Sequence, residues 1–353
     1  MLAFGLCSPV AIAAQMPGAD FIGINAPDAF LISGSYRIHA VELQAHAHIR
    51  EARQVFDWAS IETKPGVYDF SSYDRYVLDL AAHGLRVLPI LFNTPPFRTG
   101  GIVPPRGTTE PPSDPHAIEP FARALAARYG PGGSLWQTHP GLAATGAIHV
   151  WQIWNEPDLA LFWGGHADAR QYAQLLIAAS AGIRAVDPSA KVITGGFAYV
   201  NTGLGGYISA FLRTGARAVI SGLAVDGYAR RPPGVLAELR YVRRLLTRGG
   251  ASKEPIWLTE FGWSTGAQRT AFTVSLKEQA KLIGELIRTL AHDRCQLRLK
   301  AIFYYAWRDG PSLPAGHDYW TRHTGLLEAS GQPKPSLAAF RRAAAAALHT
   351  RCR

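Results

Sequence analysis

The sequence predicts an α/β protein with the closed (β/α)8 architecture of a TIM barrel, and three observations predict it. Eight short apolar runs recur along the 353 residues. A helical pattern separates each run from the next. No run is followed by a Gly-x-Gly-x-x-Gly turn, which speaks against an open dinucleotide-binding sheet.

The runs lie at 21–25, 53–58, 86–92, 149–154, 191–195, 222–228, 256–260 and 301–307. They are rich in Val, Ile, Leu and aromatics and show little strict alternation, as strands buried on both faces do. Between them, Ser71 and Ser72 are placed to cap a helix carrying Tyr76, Val77 and Leu80, which stops at Gly84. Asp114 and Pro115 open a helix with Ile118, Phe121, Leu125 and Tyr129, which stops at Gly130. Tyr172, Leu175, Leu176, Ala179, Ile183 and Val186 keep helical spacing until Pro188, and Ser275 with Glu278 forms a capping box. The Pro/Gly-rich stretch 94–115 reads as an elaborated loop after the third strand, on the face where barrel loops carry function. Residues 16–353 read as one catalytic domain. Residues 1–15 are apolar and end in the small-residue pattern Ala11-Ile12-Ala13, like the last part of a signal peptide whose basic start is missing.

Composition narrows the classes. A chain with 48% hydrophobic residues and only 18% charged ones is globular. The net charge of +10 comes mostly from arginines that are scattered or lie on helix faces, with no basic run interleaved with aromatics. No nucleic-acid partner is expected; an acidic polysaccharide is the sharper reading of the charge, a solvated surface the plainer one. No stretch is long and apolar enough to span a bilayer. The three cysteines lack metal-ligand spacing, and Cys295 and Cys352 are left to pair if the first fifteen residues are removed. None of the histidines, including His46, His48, His317 and His323, sits beside a carboxylate on a metal-binding helix face, so no metal is expected. The reading favours a secreted or periplasmic protein, with a cytoplasmic one as the alternative. It leaves the oligomeric state open.

Two segments carry the chemistry. His149-Val-Trp-Gln-Ile-Trp-Asn-Glu156-Pro157 is the fourth run, and Ile256-Trp-Leu-Thr-Glu260-Phe-Gly-Trp263 is the seventh. Each is an apolar strand ending in a carboxylate, and side chains at the C-terminal ends of barrel strands point to the catalytic mouth. One such glutamate is most simply a surface ion pair or a carboxylate bonded to a loop backbone. Two of them on opposed strands make a pair of the kind that cleaves glycosidic bonds, one acid protonating the leaving oxygen and one carboxylate attacking the anomeric carbon.

Trp154-Asn155-Glu156-Pro157 and Thr259-Glu260-Phe261-Gly262-Trp263 resemble the acid/base and nucleophile motifs of clan A glycoside hydrolases. Within the clan the chain is most similar to family 39 and its relatives, which include β-xylosidases and bacterial exopolysaccharide hydrolases. Residues 53–69 and 85–97, Gly325-Leu-Leu and Pro333-Lys-Pro335 add to the likeness, which runs from Phe21 over nearly the whole chain. The resemblance implies a retaining hydrolase for a β-linked oligo- or polysaccharide, working without metal or organic cofactor. A transglycosidase or a carbohydrate-binding pseudoenzyme on the same barrel are the alternatives. It makes Glu156 the acid/base and Glu260 the nucleophile. Asn155 would bond the sugar 2-hydroxyl, Arg53 would keep Glu260 ionised, Tyr228 would donate to it, and Trp307 would be the platform under the sugar. Trp263 would either stack on substrate or pack its loop. Arg53, Tyr228 and Trp307 also have plain readings as core groups, and Trp58 and Glu62 read as structural.

One position departs from the pattern. Relatives often carry His-Pro-Tyr at the end of the sixth strand; here it is Asp226-Gly227-Tyr228. Strand residues two apart share a face, so Asp226 is expected one layer beneath Tyr228, with Arg53 its nearest cation by strand order, or Arg230 or Arg231 if the strand ends earlier, adding negative charge near both glutamates. The alternative is a carboxylate that bonds a loop backbone and faces solvent.

Overall fold

The computed structural model describes residues 18–104, 109–198, 203–266, 268–311, 313–314 and 318–352. The segment 1–15 and His317 lie outside the described residues.

Eight parallel strands form the barrel: β1 Ile22–Asn25, β2 Glu51–Asp57, β3 Arg86–Phe92, β4 Val150–Ile153, β5, β6 Leu223–Asp226, β7 Ile256–Glu260 and β8 Leu299–Tyr305. Strand β5 has two pieces, Lys191–Ile193 and Phe197–Ala198. Its first piece pairs with β4 and its second with β6. The order around the sheet runs from the first piece of β5 through β4, β3, β2, β1, β8, β7 and β6 back to the second. The two ends of the sheet are thus consecutive parts of one strand, which closes the barrel. The break falls at Thr194-Gly195-Gly196, where the Glu156 N–H bonds the Gly196 carbonyl at 3.0 Å.

Leu88, Ile193, Ala224, Trp257, Ala301 and Phe303 fill the barrel interior. Gly23 is needed there: a Cβ on it would stand 2.3 Å from the Phe303 ring. The larger core lies between strands and helices, where Phe121, Leu125 and Tyr129 of the helix Ile118–Tyr129 and Leu175, Leu176 and Ile183 of the helix Ala169–Arg184 are buried.

Most expected strands shift by one to three residues. The helix Ser71–Ala82 is opened by Asp69, whose carboxylate accepts from the Ser71 N–H, rather than by a serine side chain. Ser275 does accept from the Glu278 N–H, opening the helix Leu276–Leu297. Trp58 begins a one-turn helix instead of ending β2. The turn at Pro65-Gly66 sits in a small hairpin, Glu62–Lys64 with Val67–Tyr68, that the sequence pattern did not reveal. Cys295 and Cys352 form a disulfide tying the C-terminus to the helix Leu276–Leu297.

Candidate active site

Residues on or just after β1, β2, β3, β4, β7 and β8 converge on one pocket. Its cavity of about 200 Å³ is lined by, among others, Asn25, Arg53, Phe92, Asn155, Glu260 and Tyr305.

Arg53 organises the floor. Its side chain is 2% exposed. Its guanidinium donates to Glu260 Oε1 at 2.6 Å, Asn25 Oδ1 at 2.9 Å, Gln152 Oε1 at 2.8 Å and Asn155 Oδ1 at 2.5 Å. One planar fork thereby ties together β1, β2, β4 and β7, which a lysine could not do. Asn25 turns its amide to the carbonyls of Thr259 and Tyr304. Glu260 receives a second donor on its other oxygen, the Tyr228 hydroxyl at 2.8 Å. Each carboxylate oxygen is thus held by one donor.

Glu156 has different surroundings. It and Trp154 have φ of 42° and 70°, a left-handed conformation uncommon for side chains of this kind. The strain is held by the Glu156 N–H on the Gly196 carbonyl, the Trp154 N–H on the Leu91 carbonyl at 2.9 Å and the Trp154 indole N–H on the Phe162 carbonyl at 2.8 Å. Burial pushes Glu156 well above the usual carboxylate range, and the carboxyls of Asp226, Glu260 and Asp158 add to it, with Arg53 opposing. A desolvated carboxyl thus stands near an ion-paired one.

Asp226 is fully buried, so the solvent-facing alternative is excluded. Its closest cation is Arg53, at 4.0 Å. The other expected residues divide. Arg53, Asn155 and Tyr228 are brought to Glu260. Trp263 is 1% exposed, and its indole donates to the Ala229 and Arg230 carbonyls; it packs its loop and offers no stacking face. Trp307 corrects the expectation of a sugar platform: it is 0% exposed. Tyr305, two residues earlier and half-buried, lines the pocket instead, close enough for the charges of both glutamates to act on its hydroxyl. Reasoning from sequence also missed Trp320 and Phe272, half-buried rings that pack on Tyr228 at 5.0 and 6.2 Å between centroids. Phe272 lies in a turn and Trp320 opens a short 3-10 helix, Trp320–His323, where no periodicity marks them.

Glu62 is structural. Its carboxylate takes bonds from the Trp58 indole, the Arg98 guanidinium and the Gly66 N–H, clamping the hairpin to the loop after β3. Among the described residues no group of three or more His, Cys, Asp or Glu side chains is arranged to hold a metal, and no helix is long and apolar enough to cross a membrane.

A closed parallel barrel with glutamates at the ends of its fourth and seventh strands, one ion-paired and one desolvated, has the layout of a glycoside-cleaving barrel. The comparisons agree. The family model described as "Glycosyl hydrolase catalytic core" matches residues 143–340, and the chain belongs to that family. Its fold is similar to solved structures of family 39 glycoside hydrolases. A β-xylosidase from Caulobacter crescentus superposes with a TM-score of 0.68 at 20% identity, covering 93% of this chain and 72% of that one. A family 39 enzyme from Bacteroides cellulosilyticus gives 0.66 at 18%, covering 93% and 64%. One from Xanthomonas axonopodis pv. citri gives 0.66 at 20%, covering 93% and 67%. The chain thus spans about two thirds of the length of these structures. Among curated proteins none matches by sequence.

Proposed function

We propose that the protein is a retaining O-glycosyl hydrolase acting on a β-linked oligo- or polysaccharide. Glu260 attacks the anomeric carbon while Glu156 gives its proton to the leaving oxygen. Glu156 then takes a proton from the water that releases the sugar from Glu260. Asn155 is poised to bond the sugar beside Glu260, and Tyr305 to form part of the wall against which the ring rests.

The observation that carries this reading is the contrast between the two glutamates. Glu260 accepts from Arg53 and Tyr228, one donor on each oxygen. Glu156 is desolvated among carboxyls, which favours its protonated form. Environments that push two carboxyls apart assign acid and nucleophile. The β-linkage is supported by the β-xylosidases among the similar folds.

The test has two stages. A panel of aryl glycosides and bacterial polysaccharides identifies the sugar. The matching 2-fluoro glycoside should then inactivate the protein and leave its mass on the peptide holding Glu260, while Glu260→Gln has no turnover. Labelling at another residue with Glu260→Gln still active rejects the assignment.

We also propose export to an oxidising compartment, secreted or periplasmic. The disulfide supports this, since structural disulfides persist where thiols are not kept reduced. Fractionation of the source cells should find the protein outside the cytoplasm.

A further inference from the structure

Beneath the glutamate pair lies a third carboxyl, and the cation nearest to it is already committed. Arg53 directs hydrogen bonds at Glu260, Asn25, Asn155 and Gln152. Its closest approach to Asp226 is 4.0 Å, to Oδ2, which is beyond hydrogen-bonding distance. Oδ2 has no other partner. The side chain has no exposure to solvent. It presses on strand β5, where a Cβ on Gly196 would lie 2.3 Å from Oδ2 and 2.4 Å from Oδ1.

The other oxygen shows where a proton would go. Oδ1 is 2.6 Å from the Thr259 hydroxyl oxygen, which is also 3.2 Å from the Val225 carbonyl oxygen. A threonine hydroxyl has one proton to give. With Asp226 ionised, that proton goes to the carboxylate, nothing is left for the carbonyl, and the carboxylate keeps one buried oxygen without a protein donor. With Asp226 protonated, the acid donates to Thr259 and Thr259 donates to Val225. Both contacts are then hydrogen bonds, and the atom left over is a neutral carbonyl oxygen, far less costly to bury than an unpaired charge.

We propose that Asp226 is a positioning residue that works as an un-ionised carboxylic acid, its proton held toward Thr259, so that the single charge of Arg53 serves Glu260. This revises the sequence expectation that Asp226 adds negative charge to the site. The charged and titratable groups around it agree. Arg53 on β2 faces two carboxyls. Glu260 on β7, and Glu156 and Asp158 after β4, all disfavour a further negative charge, and Tyr228 after β6 spends its proton on Glu260. Burial and Glu260 push Asp226 well above the usual carboxylate range, outweighing Arg53 and Thr259.

The proposal rests on Glu260 being the nucleophile, and the experiment separates the two. Infrared difference spectra of Glu156→Gln against Glu156→Gln/Asp226→Asn at neutral pH should show the carbonyl stretch of a protonated, buried carboxylic acid, lost with Asp226. In parallel, the pH profile of kcat/KM on the aryl glycoside identified above is recorded for Asp226→Asn and Asp226→Ala. Asparagine keeps a donor for Thr259, so it should recover most of the activity that alanine loses and leave the acidic limb in place. Absence of the carboxylic acid band overturns the proposal. So does an acidic limb moved down by about one unit or more in Asp226→Asn, the sign of a lost negative charge. If Asp226→Asn does not fold, Thr259→Val must shift the band by removing its acceptor; an unshifted band also overturns it. If no glycoside is cleaved the proposed function fails, yet the infrared result still decides the state of Asp226.

Discussion

Replacing Tyr228 by phenylalanine removes one hydroxyl and little else. The ring keeps its edge-on contact with Trp320 at 5.0 Å and its packing near Phe272, so the loop around it should stay in place. What goes is the 2.8 Å hydrogen bond to Glu260 Oε2. A hydrogen bond to a charged group contributes about 1.5–3 kcal/mol. At about 1.4 kcal/mol per decade, a bond of that size present in the reactive form and absent afterwards is worth roughly 10- to 150-fold in rate. The Glu260 side chain is 13% exposed, so water can replace part of the bond, and the lower half of that range is expected. The assay is steady-state hydrolysis of an aryl glycoside with a good leaving group across the acid range, with circular dichroism to verify the fold. Activity within about twofold of the parent protein would refute the claim that Tyr228 acts on Glu260.

Three further outcomes are expected. Glu156→Ala should lose most of its activity on poor leaving groups and far less on good ones, and azide should rescue it with a glycosyl azide of retained configuration; equal loss on all leaving groups without rescue rejects the acid/base role. Burial raises Glu238 to about 8, and one of its oxygens has no hydrogen-bond partner. A raised folded-state value means that its contribution to stability is fully present below the unfolded value and is lost as pH rises through about 8. Thermal melts should therefore fall from mildly acidic pH up to about 8 and level off above it, and Glu238→Gln should flatten that fall; an unchanged slope contradicts it. The disulfide spans 57 residues of sequence, and chain-entropy reasoning gives it about 4 kcal/mol. Cys352→Ala or full reduction should lower the melting temperature by several degrees, and equal melts with and without reductant would show that the bridge contributes nothing.

The parts of this protein legible in the sequence are those governed by period and order. Eight apolar runs announced eight strands, and the carboxylates ending the fourth and seventh fell where a barrel puts its mouth. Arg53, on β2, was found through the family resemblance of residues 53–69, since no period marks it. The hairpin at Glu62–Lys64 and Val67–Tyr68 was not found, because two- and three-residue strands have no period to read. Neither was the break in β5: Thr194-Gly195-Gly196 looks like a strand end, and only the closed ring shows the same strand resuming at Phe197. The left-handed backbone at Trp154 and Glu156 has no composition signal, since neither residue favours it and tertiary contacts impose it.

The exchange of Trp307 for Tyr305 shows how such a reading fails. Residues two apart on a strand share a face, so both aromatics were compatible with an inward-facing position near the mouth. The rule holds only while the strand lasts. Strand β8 ends at Tyr305, and beyond it the Trp307 N–H bonds the Asn25 carbonyl while the Leu326 and Leu327 N–H groups bond the Trp307 carbonyl. Those bonds fold the chain over the rim and carry Trp307 into the packed layer, leaving Tyr305 as the last β8 side chain exposed to the cavity. Parity is compatible with both residues; the end of the strand decides between them. That position is fixed by contacts with segments nearly three hundred residues away at one side and about twenty at the other, which a local pattern does not contain.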